Sequence, residues 1–293
     1  MRHRLLWILL AGVCASAHAE PPVPLLWKAT GDAGTVYLLG SFHLLTDDDY
    51  PLHASVEAAY DDAEALLFEV DPSAMQSPAT AKTMQEMARF DDGRTLRGVI
   101  SDETESKLAA FLGSEAAMAA SDQFEPWYLG MNIAVMAMVN AGLDPSKGLD
   151  QHFMQRAKRD AKPASGLETV AEQLGALDQA PLAEQEIMLS EALAPLAELR
   201  ADIERMHATW RAGDAAGMEE IVNEETAQKT PRMYELINRD RNQRWLPTLQ
   251  GLLASQDDHL VIVGAMHLIG EDGLVQQLGR RGVTVERVGS AAQ

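Results

Sequence analysis

The sequence contains a single cysteine, Cys14, among its 293 residues. One cysteine can form neither a disulfide framework nor a zinc site built from several thiolates. Basic residues are also scarce, because 24 lysines and arginines stand against 44 acidic residues, which gives a formal net charge of −20. Nucleic acids and anionic membrane surfaces would repel such a chain. The composition therefore excludes a disulfide scaffold and argues against a nucleic-acid partner.

The sequence also lacks an apolar run long enough to span a membrane. The apolar run 5–13 follows a basic start and precedes the small residues around 17–19, which is the order found in a secretory signal peptide. The run is too short for a membrane span of about 20 residues. We therefore predict that residues 1–19 are a signal peptide cleaved after Ala19. The mature chain is then periplasmic or secreted, and has no stable membrane span.

Apolar runs predict strands at both ends of the chain. They lie at 35–39, 65–70 and 259–263, and a helix at 52–63 separates the first two. Continuous apolar runs suit strands that are buried on both faces, and the order strand, helix, strand is typical of an α/β unit. The alternating segment 283–288 predicts an edge strand.

The middle of the chain is mainly helical in its periodicity. Helices are predicted at 103–112, 130–140, 147–159, 183–212, 215–222 and 232–253, the last with a break at Pro247, and a further helix at 268–280. A short strand is predicted near 164–167. The predicted fold is mixed α/β (α+β), with a sheet core built from the N- and C-terminal segments and a mainly helical middle packed on it. We predict a single domain over 20–293, in which 102–253 forms a mostly helical insertion or subdomain.

The two ends share one pattern, an apolar strand followed by glycine, two residues and histidine. Gly40 leads to His43 in this way, and Gly264 leads to His267. Ligands of α/β sheets bind beyond the carboxyl ends of the strands, so neighbouring parallel strands would bring both histidines into one cleft. We also expect the glycines to permit a sharp turn or the close approach of a ligand.

Glu69 adds a carboxylate to this pair of histidines. It lies within an apolar strand, where an ionised group is costly to bury unless it is paired or bound to metal. Two imidazoles and one carboxylate are a donor set for a catalytic divalent metal. The same groups also suit metal-free acid–base chemistry, with His43 as base and Glu69 as its partner.

The chain resembles the TraB/GumN family, which includes exported bacterial proteins and the animal Tiki proteins, from about Leu26 to Val288. The segments that carry the resemblance are Gly40-Ser41-Phe42-His43, Phe68-Glu69-Val70-Asp71, Gly148-Leu149-Asp150, Gly166-Leu167-Glu168-Thr169, Arg239-Asp240-Arg241-Asn242 and Gly264-Ala265-Met266-His267. The resemblance implies a fold related to the erythromycin-esterase and ChaN-like group and a hydrolase-type site. Tiki proteins are proteases that depend on a divalent metal and favour manganese or cobalt.

The resemblance also implies roles for individual residues. By matching position, His43, Glu69 and His267 would be the metal ligands or acid–base groups, and Arg241 and Asn242 match an Arg-Asn element of the family. Manganese or cobalt is the implied metal, with zinc as a further option.

Arg241 and Asn242 fall within a predicted helix. There, an arginine could stabilise a developing oxyanion and an asparagine could orient water or a carbonyl group. The alternative is an exposed, salt-bridged helix. For Asp150 we expect a helix N-cap, and for Glu168 a capping or loop contact.

Three hypotheses follow. The first is an exported metal-dependent hydrolase, peptidase-like, in which Arg241 steadies the tetrahedral intermediate. The second is a metal-free esterase-type hydrolase that uses a histidine base. The third is a non-catalytic periplasmic factor that binds a peptide or a metal ion. The expected partner is thus a peptide or a small-molecule substrate.

Overall fold

The computed structural model of the protein describes residues 20–75 and 77–289. The predicted signal peptide, residues 1–19 with Cys14, lies outside the described residues, so its cleavage stays a prediction. Within the described part of the chain, no helix combines the length and apolar character needed to cross a membrane.

Six strands form one mixed sheet in the described residues. They are β1 Leu26–Thr30, β2 Thr35–Ser41, β3 Ala65–Val70, β4 Ala164–Glu168, β5 His259–Gly264 and β6 Thr284–Val288. The strand order across the sheet is β4-β3-β5-β2-β1-β6. The four strands β4, β3, β5 and β2 run parallel, whereas β1 is antiparallel to both of its neighbours. The predicted edge strand at the C-terminus is confirmed, and β4 forms the opposite edge.

The parallel strands are buried as their apolar sequences predict. All residues of β2 and β5 are buried, and β2 pairs with β5 so that Gly40 lies opposite Val263 and Ser41 opposite Gly264. Burying an aliphatic side chain of this size stabilises the fold by about 1.5–3 kcal/mol. The central strands therefore hold the two Gly-x-x-His segments in a fixed register.

Helices make up most of the remaining chain. They are α1 Ala54–Asp62, α2 Pro72–Met75, α3 Pro78–Met87, α4 Asp102–Leu112, α5 Glu115–Ser121, α6 Pro126–Asn140, α7 Leu149–Asp160, α8 Val170–Asp178, α9 Leu182–Ala192, α10 Leu196–Arg211, α11 Ala215–Val222, α12 Pro231–Tyr234, α13 Asp240–Leu253 and α14 Leu274–Arg280. Two π-helical turns, Asn223–Ala227 and Glu235–Arg239, follow α11 and α12. The predicted fold class, a mixed α/β sheet core with a mainly helical middle, is confirmed.

Several predicted helices differ from the observed ones, and proline or glycine explains two of the differences. The predicted helix 183–212 is divided into α9 and α10, because Pro195 stands at the N-cap of α10 and does not continue a helix. The predicted helix 268–280 begins only at Leu274. The chain before it turns at Gly270, whose φ of +73° favours glycine.

The break predicted at Pro247 does not occur. Helix α13 continues through this residue, which lies on an exposed face. Buried side chains on both sides of the proline, Trp245, Leu249 and Leu253 among them, anchor the helix to the core. Their packing outweighs the roughly 3 kcal/mol that an interior proline costs.

Candidate active site

Each of the four parallel strands has a histidine or a glutamate at its carboxyl end, at the same edge of the sheet. In spatial order these residues are Glu168 at the end of β4, Glu69 near the end of β3, His267 after β5 and His43 after β2. This is the edge at which α/β sheets bind ligands. The predicted arrangement of neighbouring parallel strands is therefore present, and it brings both histidines and Glu69 to one cavity.

His43 pairs with Asp150 at the mouth of this cavity. The Nδ1 atom of His43 lies 3.0 Å from Oδ2 and 3.1 Å from Oδ1 of Asp150. Asp150 was expected to be an N-cap, and this expectation was wrong, because Gly148 occupies the N-cap of α7 and Asp150 lies in the first turn. A side chain at Gly148 would meet the carbonyl oxygen of His43, so glycine is needed for this close approach.

His267 is held by Asn242 in the interior. The side chain of His267 is only 2% exposed, and its Nδ1 lies 2.8 Å from Oδ1 of Asn242. The amide nitrogen of Asn242 donates to the backbone carbonyl groups of His267 and Asp272, which fixes the orientation of the amide. His267 therefore donates from Nδ1, and its Nε2 atom carries a lone pair. The ring also packs against Trp245, at 4.6 Å between ring centroids.

Arg241 joins the two carboxylates of the site. Its Nη2 donates to Glu69 at 2.6 Å and to Glu168 at 2.5 Å, and its Nε donates to Glu168 at 2.8 Å. Its Nη1 contacts the Ile237 carbonyl oxygen and His267 Nε2, both at 3.0 Å. The guanidinium has five N–H donors, and protein acceptors within the described residues occupy all of them. In this arrangement every N–H of Arg241 points to a protein acceptor.

Several hydrogen bonds fix the position of the Glu69 carboxylate. Besides Arg241, its carboxylate accepts from the backbone amide of Gly264 at 2.7 Å and from Nε2 of Gln173 at 2.9 Å. Its Oε1 lies 3.8 Å from Nε2 of His267. These contacts hold the carboxylate beside the histidine ring.

The glycines of the two Gly-x-x-His segments allow neighbouring side chains and backbone to approach closely. A methyl group on Gly264 would lie 3.2 Å from Glu69 Oε1, 3.6 Å from His43 Nε2 and 3.7 Å from His267 Cδ2. These three side chains thus converge on the surface of Gly264. Gly40 packs against Ala265 in the same way, with 3.2 Å from an added Cβ to the Ala265 Cα. Neither glycine has a positive φ, so the expected sharp turn is not the reason for either one.

The cavity at this edge has a volume of about 530 Å³. Its polar lining residues are His43, Glu69, Asp150, Gln151, Gln173, Arg241 and His267. Most of the other lining residues are apolar, and they include Phe68, Met84, Met131, Val135, Leu174, Leu177, Ile237 and Ile262. A mainly apolar cavity with a few convergent polar groups is typical of a ligand site.

The two histidines differ in pKa because their surroundings differ. The Asp150 carboxylate raises the pKa of His43 to about 9, so His43 is protonated at neutral pH. Burial lowers the pKa of His267 to about 3, against the effect of Glu69, so His267 is neutral. The two rings therefore have different charge states.

The two carboxyl groups also differ. Burial raises the pKa of Glu69, whereas the neighbouring guanidinium of Arg241 lowers it. His43 and the amide of Gly264 act in the same direction, so the pKa lies below its usual range and Glu69 is ionised. Burial raises the pKa of Glu168 above its usual value, although Arg241 opposes this.

The chemical types of the donors, two imidazoles and one carboxylate, are suitable ligands for a divalent cation. The Nδ1 atoms of both histidines are bound to protein partners, which leaves Nε2 for a ligand and orients each ring, as in most histidine metal sites. The 3.8 Å between His267 Nε2 and Glu69 Oε1 suits two ligands of one ion whose bonds are each about 2.1 Å. In residues 20–75 and 77–289, however, no three such side chains already stand as a coordination group. Binding through His267 requires Arg241 Nη1 to give up its contact with Nε2.

Of the predicted site residues, His43, Glu69, Arg241 and His267 line the cavity, whereas Asn242 is fully buried behind His267. Sequence reasoning did not assign Asp150 and Glu168 to the site. Both follow a glycine within segments already singled out, Gly148-Leu149-Asp150 and Gly166-Leu167-Glu168, and that was the available signal.

Fold and site together define an α/β protein whose candidate site lies at the carboxyl edge of the parallel strands. A family model for the TraB/PrgY/gumN family matches residues 25–287, so the chain belongs to this family, as its resemblance implied. The uncharacterised protein YbaP of Escherichia coli (strain K12) is 24% identical, over 83% of this chain and 87% of the relative, and YbaP of Shigella flexneri matches equally well. An uncharacterised protein of Treponema pallidum (strain Nichols) is 22% identical, over 88% of this chain and 80% of the relative. No solved structure matches the chain significantly.

Proposed function

We propose that the protein is a divalent-metal-dependent hydrolase, peptidase-like, that acts in the cavity at the carboxyl edge of the sheet. One observation carries the proposal: His43 Nε2, Glu69 Oε1 and the His267 ring converge above Gly264. Each ring has its Nδ1 fixed by a separate partner. Convergent titratable groups whose pKa values are strongly shifted are typical of functional sites.

His43, Glu69 and His267 would hold the ion, with manganese or cobalt preferred and zinc as a further option. A divalent cation bound there would lower the pKa of a water ligand and polarise the scissile carbonyl group. Because His43 is protonated at neutral pH, it releases a proton when it becomes a ligand. The apolar walls of the cavity would bind the substrate and exclude bulk water.

Arg241 and Asn242 have positioning roles in this proposal. Arg241 compensates the charges of Glu69 and Glu168. Metal binding at His267 would free one hydrogen of Arg241 Nη1, which could then donate to a developing oxyanion. Asn242 sets the tautomer and orientation of His267. For Asn242, which is buried behind His267, this role takes the place of the water or carbonyl contact expected from the sequence.

A metal-free hydrolase is a second candidate, because Arg241 already contacts Nε2 of His267 and His43 carries a proton. The structure changes this alternative as well. His43 pairs with Asp150 and not with Glu69, and a pKa of about 9 suits a general acid better than a base at neutral pH. The ionised Glu69 would then activate water.

Turnover after chelation separates these candidates. The full chain is stripped with a chelator, and release of new amino groups from a mixture of short peptides is measured with and without Mn²⁺, Co²⁺ or Zn²⁺. We expect activity only with metal and none in His267→Ala. His53→Asn is the matched control, because asparagine preserves the N-cap of α1 that His53 provides. Activity that survives chelation supports the metal-free candidate, and absence of turnover in every arm contradicts both.

We further propose that the protein is exported and loses residues 1–19. The basic start, the short apolar run and the small residues before Glu20 support this. Mass spectrometry of the protein recovered from an exporting host tests it. A mature N-terminus at Glu20 is expected, and an intact N-terminus contradicts the proposal.

A further inference from the structure

A glutamine of helix α8 borders the cavity beside Glu69. Gln173 lines the cavity, is half-buried, and donates from Nε2 to Glu69 Oε2 at 2.9 Å. Arg241 donates to the same oxygen, whereas Oε1 of Glu69 is the atom that lies 3.8 Å from His267 Nε2. The contact with Gln173 therefore leaves the side of Glu69 that faces His267 unobstructed.

The first turn of α8 holds the backbone of Gln173 in place. The helix begins directly after β4, and Thr169 and Glu172 form a capping box in which each side chain accepts from the backbone amide of the other. The backbone amide of Gln173 donates to the carbonyl group of Thr169 at 3.1 Å. The next residue, Leu174, is buried and packs the helix against the interior. Gln173 is therefore presented to the cavity from a rigid element.

The orientation of the Gln173 amide follows from its partner. Glu69 is ionised, and an ionised carboxylate can only accept hydrogen bonds. The amide nitrogen of Gln173 must therefore face Glu69, because the carbonyl oxygen of the same amide would meet a second acceptor there. Oε1 of Gln173 consequently points away from the Glu69 carboxylate.

Oε1 of Gln173 is an open acceptor. Among residues 20–75 and 77–289, no N–H or O–H donates to it, and it is not one of their buried side-chain atoms without a partner. Within this part of the chain it therefore has accessible surface. Since Gln173 lines the cavity and its amide nitrogen already lies at Glu69, the acceptor stands at the cavity wall next to that carboxylate.

We propose that Gln173 selects amide substrates over esters, because its Oε1 accepts an N–H group of a bound peptide beside Glu69. An ester places an oxygen with lone pairs where the peptide has this N–H, so that two acceptors would face each other. That the bound peptide is a substrate rests on the proposed function, whereas binding itself does not depend on it. The preferred substrate class is thus a peptide or another secondary amide.

Calorimetric titration of the chelator-stripped full chain with four ligands tests the proposal. One is acetyl-Ala-Leu-Leu-Ala-amide, whose leucines suit the apolar walls of the cavity. The others are three depsipeptides of the same sequence, each with one internal N–H replaced by oxygen. We expect one depsipeptide to bind about tenfold more weakly than the peptide, since it loses a hydrogen bond and leaves Oε1 facing an acceptor. Equal affinity for all four ligands, or binding of none, overturns the proposal.

Variants assign the effect to Gln173. Gln173→Met keeps the length of the side chain but removes the acceptor, so the peptide and that depsipeptide should bind it equally well. A merely structural effect would weaken both ligands alike and preserve the difference. Gln151→Met is the matched control and should keep the difference, because Gln151 lines the same cavity and its side chain makes no hydrogen bond within the described residues. A difference that persists in Gln173→Met, or disappears in the control too, overturns the proposal.

The outcome also separates this inference from the proposed function. A difference that is lost in Gln173→Met, without cleavage of the peptide by the parent when Mn²⁺ is restored, supports the role of Gln173 and contradicts the hydrolase. Cleavage of the peptide together with equal affinity for all four ligands contradicts the role of Gln173 and leaves the hydrolase standing.

Discussion

Replacing Arg241 by methionine should destabilise the protein strongly. The guanidinium is 6% exposed and compensates two carboxylates, Glu69 and Glu168, whose side chains are 12% and 3% exposed. Methionine fills similar space but leaves both carboxylates buried without their partner. Removing one member of a buried ion pair costs about 3–5 kcal/mol, so we expect a loss of this size in the free energy of unfolding at pH 7.

The loss should depend on pH. In the parent protein the pKa of Glu69 lies below the ordinary value of 4.5, so its ionised form stabilises the fold above pH 4.5 and this contribution is lost in acid. In Arg241→Met we expect burial to raise the pKa of Glu69 above 4.5, and to raise the pKa of Glu168 further above this value than in the parent. These groups then destabilise the fold at high pH, and protonation relieves them. The difference between parent and variant should therefore shrink as the pH falls from 7 towards about 4.5.

Urea unfolding of the metal-free chain at pH 7 and pH 5 measures both effects. Arg244→Met is the matched control on the same helix, since Arg244 is 49% exposed and reaches Glu168 only at 3.8 Å. Its removal should cost less than about 1 kcal/mol. The reasoning is refuted if the Arg241 variant loses no more stability than the control, or if its deficit grows in acid.

Three further predictions concern the neighbours of the site. Asp150→Asn should lower the pKa of His43 from about 9 towards 6.5. The parent should lose stability as the pH rises through the interval between these two values, and the variant should lack this pH-dependent loss. An unchanged titration of His43 by NMR would count against the pairing. Gly264→Ala places a methyl group 3.2 Å from Glu69, so peptide turnover and Mn²⁺ affinity should fall at least tenfold, as enzyme assay and calorimetry will show. Gly251→Ala meets open space on α13 and should raise the stability by up to about 1 kcal/mol, whereas a lower Tm would contradict the helix geometry there.

Local sequence patterns predicted the fold well where one physical effect dominates. The strands at 35–39 and 259–263 are apolar throughout, so their burial follows from composition alone. Strand β1, Leu26–Thr30, was not predicted. Its five residues show neither a continuous apolar run nor a clean alternation, and its conformation depends on pairing with β2 and β6, which are distant in sequence. Helices α2, α3, α5 and α8 were not predicted either.

Local sequence patterns were also insufficient to predict the whole candidate site. His43 and His267 were found because each follows a glycine at the end of an apolar strand, a signal that is complete within eight residues. The roles of Asp150 and Glu168 depend on contacts across more than 70 positions, from Asp150 to His43 and from Glu168 to Arg241. Asp150 is also a common N-cap type, so local reasoning assigned it to the helix end.

The charge relations among the site residues were beyond sequence reasoning for a further reason. A pKa depends on burial and on the distances to other charges, neither of which a motif specifies. Two histidines in the same Gly-x-x-His pattern therefore have pKa values of about 9 and about 3.

Calorimetric titration of Mn²⁺ into the chelator-stripped full chain tests the convergence of His43, Glu69 and His267 most directly. We predict one binding site in the parent and in His53→Asn. His43→Ala should weaken the affinity by more than the 10–100-fold that loss of a supporting contact causes. Binding of Mn²⁺ by His43→Ala with the affinity of the parent would contradict the account.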